Sequence, residues 1–194
     1  VIMEEFYLEE PSLKRKEEAI DYIRENIEYN SSINGVGGLD SYCDKYEEWL
    51  EKVNKERFQE NIPEDKSPRF TYFLIRKSDN KIIGMINIRS RMTPSLFVYG
   101  GNIGYGIRPT ERGKGYSKIN LYLGLEKCFD LGMDSVLISA NDDNPASFRT
   151  ILALGGILEN KKLDDNNKPY GRYWIDVERS LETYKELYKP KKKS

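Results

Sequence analysis

Residues 104–117 read GYGIRPTERGKGYS, and these are residue types a chain uses to hold a phosphate. Strand formers run up to Ile107 and Pro109 ends the ladder, because proline has no N–H to donate. Arg112, Gly113, Lys114 and Gly115 then put glycine and positive charge into one turn, and a helical pattern starts near Gly115. A strand, a glycine turn and a helix N-terminus together aim free backbone N–H groups at one point, with the helix dipole behind them. Glycine also lets a bulky pyrophosphate approach the main chain. Two familiar phosphate templates fail at named positions. A P-loop needs Gly, four residues, then Gly-Lys-Ser/Thr, but Gly113-Lys114 is followed by Gly115, and Arg108 stands where the first glycine belongs. A dinucleotide fingerprint needs Gly-x-Gly-x-x-Gly, but Gly104-x-Gly106 leads to Pro109 and Gly113-x-Gly115 to Lys118. From the residues alone, the choice lies between an anion-cradling turn of another kind and an ordinary strand-to-helix turn with no ligand.

The chain has no histidine. Ser-His-Asp and Cys-His catalysis, His-ligated zinc and a histidine general base are therefore excluded. Proton transfer falls to Glu, Asp, Tyr, Lys, a cysteine, a terminus or water. Cys43 and Cys128 lie too far apart in sequence for zinc spacing or a disulfide framework, so no metal is expected. Cys128 sits in an apolar helical run and reads as a buried thiol. Lys plus Arg (31) nearly cancels Asp plus Glu (32), leaving a formal net charge of -1 and no basic field for nucleic acid. The lysines within 189–193 read as a solvated tail. No apolar run approaches the roughly 20 residues of a membrane span. Glu4, Glu5, Glu9 and Glu10 crowd the N-terminus, which does not read as a signal peptide. A reducing cytoplasm is the expected compartment, and 194 residues suit one domain.

The elements that must position the turn follow from periodicity. Residues 13–29 carry apolar positions at Ala19, Ile20, Ile23 and Ile27, a helical stripe. Residues 31–38, with three glycines and two asparagines, read as a loop. Residues 44–58 form a second amphipathic helix through Tyr46, Trp49, Leu50 and Val53. Residues 70–75 and 81–88 are strands joined at Ser78-Asp79-Asn80, a hairpin. Residues 96–107 are expected to be a third extended piece, and 115–131 a helix ended by Gly132. A buried strand at 135–140, a helix at 144–154 and two strands at 156–162 and 170–177 follow, with a last helix at 178–188. The order predicts an α/β fold with a mixed sheet rather than a regular doubly wound alternation.

Arg112-Gly113-Lys114-Gly115-Tyr116-Ser117 resembles the acetyl-CoA motif of the GNAT superfamily of N-acetyltransferases, Gln/Arg-x-x-Gly-x-Gly/Ala, with Ser117 departing from the final Gly/Ala. Gly104 to Pro109 resembles the family's strand four. Asn144-Pro145-Ala146-Ser147, with Gly155-Gly156 beyond, resembles its Asn-x-x-Ser helix. The likeness spans residues 70–177. It implies a GNAT acyl-CoA N-acyltransferase fold with two N-terminal helices, a central mixed sheet and a strand four that splays through a β-bulge. It divides the chain into a variable substrate-side part (1–68), a cofactor-binding core (69–177) and a C-terminal helix with a basic tail (178–194).

The same resemblance implies acetyl-CoA as co-substrate. It would be held by main-chain groups of Tyr105 and Ile107, by the turn Arg112, Gly113, Lys114, Gly115, Tyr116 and Ser117, and by Asn141, Asn144 and Ser147. Asn141 and Asn144 could equally serve as helix caps. Many family members protonate the leaving thiolate with a tyrosine in the helix after the asparagine, where this chain has Ile151. Asn102, Tyr105 and Tyr173 are the catalytic candidates left, while Tyr99 and Tyr170 read as packing. Glu111 is expected to be a solvated surface carboxylate. The implied acceptor is a small-molecule amine or a protein amino group, attacking directly in a ternary complex, with no nucleic acid or membrane partner and a homodimer as a candidate assembly. A CoA-binding sensor or interaction module with little catalysis is the alternative.

Overall fold

The computed structural model describes residues 4–189; four of the lysines of the basic tail fall at 189–193, and those beyond Lys189 lie outside the described residues. The elements are β1 (Phe6–Glu9), α1 (Lys16–Glu28), α2 (Tyr46–Lys55), β2 (Arg69–Arg76), β3 (Lys81–Arg89), α3 (Pro94–Val98), β4 (Ile103–Ile107), α4 (Tyr116–Asp130), β5 (Ser135–Asn141), α5 (Pro145–Ala153), β6 (Ile157–Leu163), β7 (Pro169–Asp176) and α6 (Val177–Tyr188). They build a four-stranded sheet in the order β1-β2-β3-β4 and a three-stranded sheet in the order β5-β7-β6. Every ladder in both is antiparallel.

Alternation along β2 shows how the first sheet is covered. Tyr72 and Leu74 enter one apolar cluster with α4, while Phe73 and Ile75 enter another with α1 and α2. The β2–β3 register slips between Leu74 and Ile75, so Leu74 faces Gly84 and Ile75 faces Ile82, leaving Ile83 unopposed. That bulge restores the phase: Ile82 and Met85 lie on the α1–α2 side and Ile83, Ile86 and Ile88 on the α4 side. The larger cluster continues through Leu121 and Leu125 of α4 to Val136, Ile138 and Ile175 of the second sheet, so one core joins both sheets. Cys128 is fully buried in it, as expected, and burial pushes its thiol up to about 12.

One strand was not foreseen in the sequence and one expectation is corrected. Phe6–Glu9 is an edge strand paired with β2, too short and too acidic in its surroundings to register as one in sequence. Residues 96–107 are not one extended piece. Leu96, Phe97, Val98 and Tyr99 look like strand, yet Thr93 accepts from the Leu96 N–H at 3.3 Å and Pro94 opens a short helix; local capping wins over β-propensity.

The chain just before β4 meets the middle of β5. Gly101, at φ 60°, bridges Ile138, and a Cβ there would collide with the Leu137 carbonyl. Asn102 ties this junction together. Its N–H donates to Leu137 O (2.7 Å) and its Oδ1 accepts from Leu137 N–H (2.9 Å). Its Nδ2 donates to Arg89 O (3.0 Å) and its carbonyl accepts from Arg89 N–H (2.7 Å). Beyond it the two strands form no ladder, and both continue into the walls of one cleft. The expected mixed sheet is corrected here: among the described residues every ladder is antiparallel, and so is the bridge at this junction. The implied bulge is not in the β3–β4 register, which is unbroken from Ile103 to Ile107.

Asn102→Ala strands the buried Leu137 N–H and Arg89 carbonyl, and the expected cost is about 2–4 kcal/mol. Urea unfolding checks this; a loss below ~0.5 kcal/mol would show that the junction does not depend on the side chain.

Candidate active site

The cleft between β4 and β5 has a volume of about 720 Å³, within the range of small-molecule sites. Its first wall is the main chain of β4. Arg89 N–H donates to Asn102 O, and Arg108 N–H donates to Ile83 O. With the register between them, antiparallel alternation turns the N–H and C=O groups of Ile103, Tyr105 and Ile107 away from β3 and toward the gap. The Ile107 carbonyl is taken by Arg112 Nε at 2.9 Å, and those of Ile103 and Tyr105 face the cleft. The opposite wall is β5, where Ser139 Oγ and Asn141 Oδ1 are buried without a hydrogen-bond partner. A polar guest would satisfy both.

The glycine turn closes one end. Gly113 and Gly115 have φ of 80° and 81°, and a Cβ on either would meet nothing within 4 Å. The backbone conformation requires glycine there, and the space beyond is open. α4 starts at Tyr116 with no side-chain cap and no acidic residue in its first turn. By contrast α3, α5 and α6 are capped by Thr93, Asn144 and Asp176. The first N–H groups of α4 and its dipole are therefore left for an anion.

The two cations of the turn differ. Arg112 reaches Asn26 Oδ1 (3.4 Å) and Ser31 Oγ (2.7 Å), both neutral, and among the described residues no carboxylate pairs with it. Lys114 is paired with Glu111 at 2.9 Å. Glu111 is not the solvated carboxylate expected. It is buried between Lys114 and Arg76 (2.8 Å), and these partners, Arg76 first, hold its carboxyl below the usual range. Tyr116 lies half-buried against Phe6, ring centroids 4.7 Å apart. Ser117 Oγ is 2.7 Å from Thr150 Oγ1, which fastens α4 to α5 and gives the departure from Gly/Ala a structural use.

Asn144 caps α5, accepting from Ser147 N–H at 3.3 Å. The Tyr105 hydroxyl donates to Ser147 O at 2.9 Å and lies 3.2 Å from Ser147 Oγ, so the side chain ties β4 to α5. Burial raises this hydroxyl well above its ordinary value, so it stays protonated and can donate but not act as a base. The other two catalytic candidates are placed elsewhere. Asn102 spends all its polar groups on the junction. Tyr173 is buried in the core, paired across strands with Ile138 and Leu158, and does not line the cleft.

Sequence reasoning missed Ser139, the loop at Asn34-Gly35 and Arg89, all of which line the cleft. Gly35, at φ 72°, lies so close that a Cβ would come 2.5 Å from Gly104 O. Arg89 Nε and Nη1 are buried with no hydrogen-bond partner. Burial, with Arg69 across the ladder, pushes its guanidinium down to about 10. The signal available for it was a lone arginine ending the apolar strand KIIGMINIR. Among the described residues, no group of three or more His, Cys, Asp or Glu is placed to hold a metal ion, and no helix is long and apolar enough to cross a membrane.

An antiparallel sheet that parts from a second sheet over a glycine turn and an uncapped helix defines a fold class, and comparison with known proteins agrees. A family model described as "Acetyltransferase (GNAT) domain" matches residues 14–157, so the chain belongs to the GNAT acetyltransferase family. Its fold is shared with the microcin C7 self-immunity acetyltransferase MccE, solved with acetyl-CoA and AMP (21% identity, TM-score 0.62, 89% of this chain and 92% of that one). It is shared with the spermidine/spermine N-acetyltransferase SpeG from Vibrio cholerae (14%, 0.64, 92% and 97%). RimJ from Mycobacterium smegmatis, solved with CoA-disulfide, is a third (12%, 0.67, 91% and 87%). No curated protein matches the sequence.

Because the folded Glu111 titrates lower than the unfolded chain, its contribution to stability is present above the ordinary carboxylate range. It is lost as pH falls through the depressed folded value. Glu111→Gln is expected to lose about 1–3 kcal/mol at neutral pH and to flatten the acid limb of stability against pH, measured by urea unfolding from pH 3 to 8. An unchanged acid limb would remove Glu111 from this role.

Proposed function

We propose that this protein is an acetyl-CoA-dependent N-acetyltransferase that acts on a primary amine by direct attack in the cytoplasm. The observation that carries this reading is the N-terminus of α4, uncapped and free of acid, opening through two left-handed glycines onto a cleft whose strand wall has unpaired main-chain groups. Acetyl-CoA, when bound, supplies an acyl group activated as a thioester. The residues of this chain fit it. The N–H groups of Gly113 to Ser117, with Arg112, would hold the pyrophosphate. The freed groups of Ile103 and Tyr105, together with Ser139 Oγ and Asn141 Oδ1, would meet the amides of the pantetheine arm. A β4 N–H aimed into the gap stabilises the charge that develops on the acyl oxygen. The protonated Tyr105 hydroxyl lines the cleft with its proton on Ser147 O, and it would have to leave that partner to donate to the departing thiolate. The acceptor must arrive or become neutral before it attacks. Relatives of this fold include proteins named for acetylating spermidine and spermine and ribosomal protein S5, so small-molecule and protein amines both stand as acceptor classes.

One observation favours the second reading, a CoA-binding module with little catalysis: Ile151, where many family members have a tyrosine, is wholly buried. Transfer from acetyl-CoA across an amine panel separates the two.

Isothermal titration is expected to show CoA binding to the folded protein, and absence of binding at high protein concentration would falsify the cofactor assignment. Gly115→Asp adds backbone strain at positive φ and a negative charge at the dipole's positive end; it is expected to weaken CoA by ~2–3 kcal/mol, and an unchanged affinity in the folded variant counts against the turn.

Because the chain has no histidine and Tyr105 is held protonated, kcat/KM is expected to rise with pH in one limb that follows the acceptor's own amine pKa. Two acceptors differing by about 2 in amine pKa test this. A limb that stays fixed between them would reveal a protein base instead.

A further inference from the structure

The cleft has a second cationic end that the cofactor turn does not account for. Arg89 closes β3 next to Gly104, and the guanidinium lies over that glycine: a Cβ on Gly104 would sit 3.3 Å from Arg89 Nη1 and 3.5 Å from Gly35 N. Two glycines thus make room for one charged side chain. Nε and Nη1 are buried and unpartnered. Arg69 stands directly opposite across the ladder, which adds repulsion rather than relief. The acids of the neighbouring α1, Asp21 and Glu25, are turned to Arg108. Among the described residues no carboxylate pairs with Arg89. A buried, unpaired guanidinium is costly to keep, and its planar fork matches carboxylate and phosphate. It lies at the start of β4, whereas the glycine turn lies past its end, so one pyrophosphate cannot serve both.

We infer that Arg89 binds an anionic group of the acceptor, so that the substrate is an amine carrying a carboxylate or phosphate rather than a polyamine. This rests on the acetyl-CoA reading for the identity of the cleft, but the two can fail separately. The cationic end repels a polycation and orients an anionic amine, which places its nitrogen toward the gap between the strands.

The test is binding by isothermal titration, with and without CoA, of matched probes: glycine and phenylalanine against their amides, phosphoethanolamine against ethanolamine, and spermidine. The expected result is at least tenfold tighter binding of the anionic member of a pair. Discrimination should vanish in Arg89→Gln, fall only partly in Arg89→Lys, and leave CoA affinity within twofold in both. The amino-acid and phosphoethanolamine arms tell carboxylate from phosphate. Thermal melting gives a readout independent of ligand: relief of an unpaired buried charge is expected to leave Arg89→Gln with a Tm at or above that of the wild type. Equal or tighter binding of the amides, ethanolamine or spermidine, no binding of any probe bearing a carboxylate or phosphate, or discrimination that survives Arg89→Gln overturns the inference. Loss of CoA binding overturns the cofactor reading instead, and the probes titrated without CoA still decide the role of Arg89.

Discussion

The whole site depends on one asparagine serving two strands. A backbone N–H can satisfy only one partner, and that of Asn102 goes to Leu137 on β5. The Arg89 carbonyl on β3 would then be left unmade, and the Asn102 side-chain amide takes it. A buried polar group without a partner is expensive, so this substitution is what lets the chain cross from one sheet toward the other at no loss. Gly101, in a left-handed conformation and without room for a side chain, makes the close approach to Leu137. Past that point β4 stays in register with β3 and has nothing to ladder with on its other edge. The cleft is the consequence, and so are the free main-chain groups of Ile103 and Tyr105.

Charge is distributed to match. The chain is nearly neutral overall, and most buried or half-buried arginines are paired: Arg15 with Glu9 and Glu18, Arg76 with Asp79 and Glu111, Arg108 with Asp21 and Glu25, Arg172 with Glu159. Half-buried Arg89 is a departure that faces the cleft, and exposed Arg112 joins it there with only neutral partners. Arg89 and Arg112 stand at opposite ends of β4, and among the described residues neither has a carboxylate partner, an arrangement that fits positive charge held for a ligand. Even Lys114, inside the glycine turn, is committed to Glu111.

Local chemistry was legible in sequence and long-range pairing was not. Gly113, Gly115 and Gly132 sit at left-handed positions where a turn or a helix end requires them, and α1, α2, α4, α5 and α6 lie where the sequence puts helices. The turn residues and Asn144, with its Oδ1 on Ser147 N–H, are where the motif puts them. What failed depended on partners far along the chain. Glu111 looks solvated in TERGKG but is buried by Arg76, 35 residues away. Asn102 and Tyr173 looked free, because nothing local shows that one bridges Arg89 to Leu137 or that the other packs between Ile138 and Leu158. Arg89 is a single charged residue at a strand end, and only the fold reveals that the acids nearby are already engaged.

A cleft with these walls works by position rather than by titration. Its tyrosine is held protonated by burial, its serine and asparagine do not titrate, and the groups that meet developing charge are main-chain dipoles. Such dipoles help only if they do not have to reorient. Three tethers keep the gap fixed: Asn102 at the junction, Tyr105 reaching across to Ser147, and Ser117 fastened to Thr150 where α4 meets α5. All three join the two halves of the molecule that the parted strands would otherwise leave free to move. The core shared by both sheets supplies the bulk of the rigidity, and the tethers set the width that the bulk alone does not specify. An open gap between sheets is therefore compatible with a precise site, because the same residues that separate the strands also fix how far apart they stand.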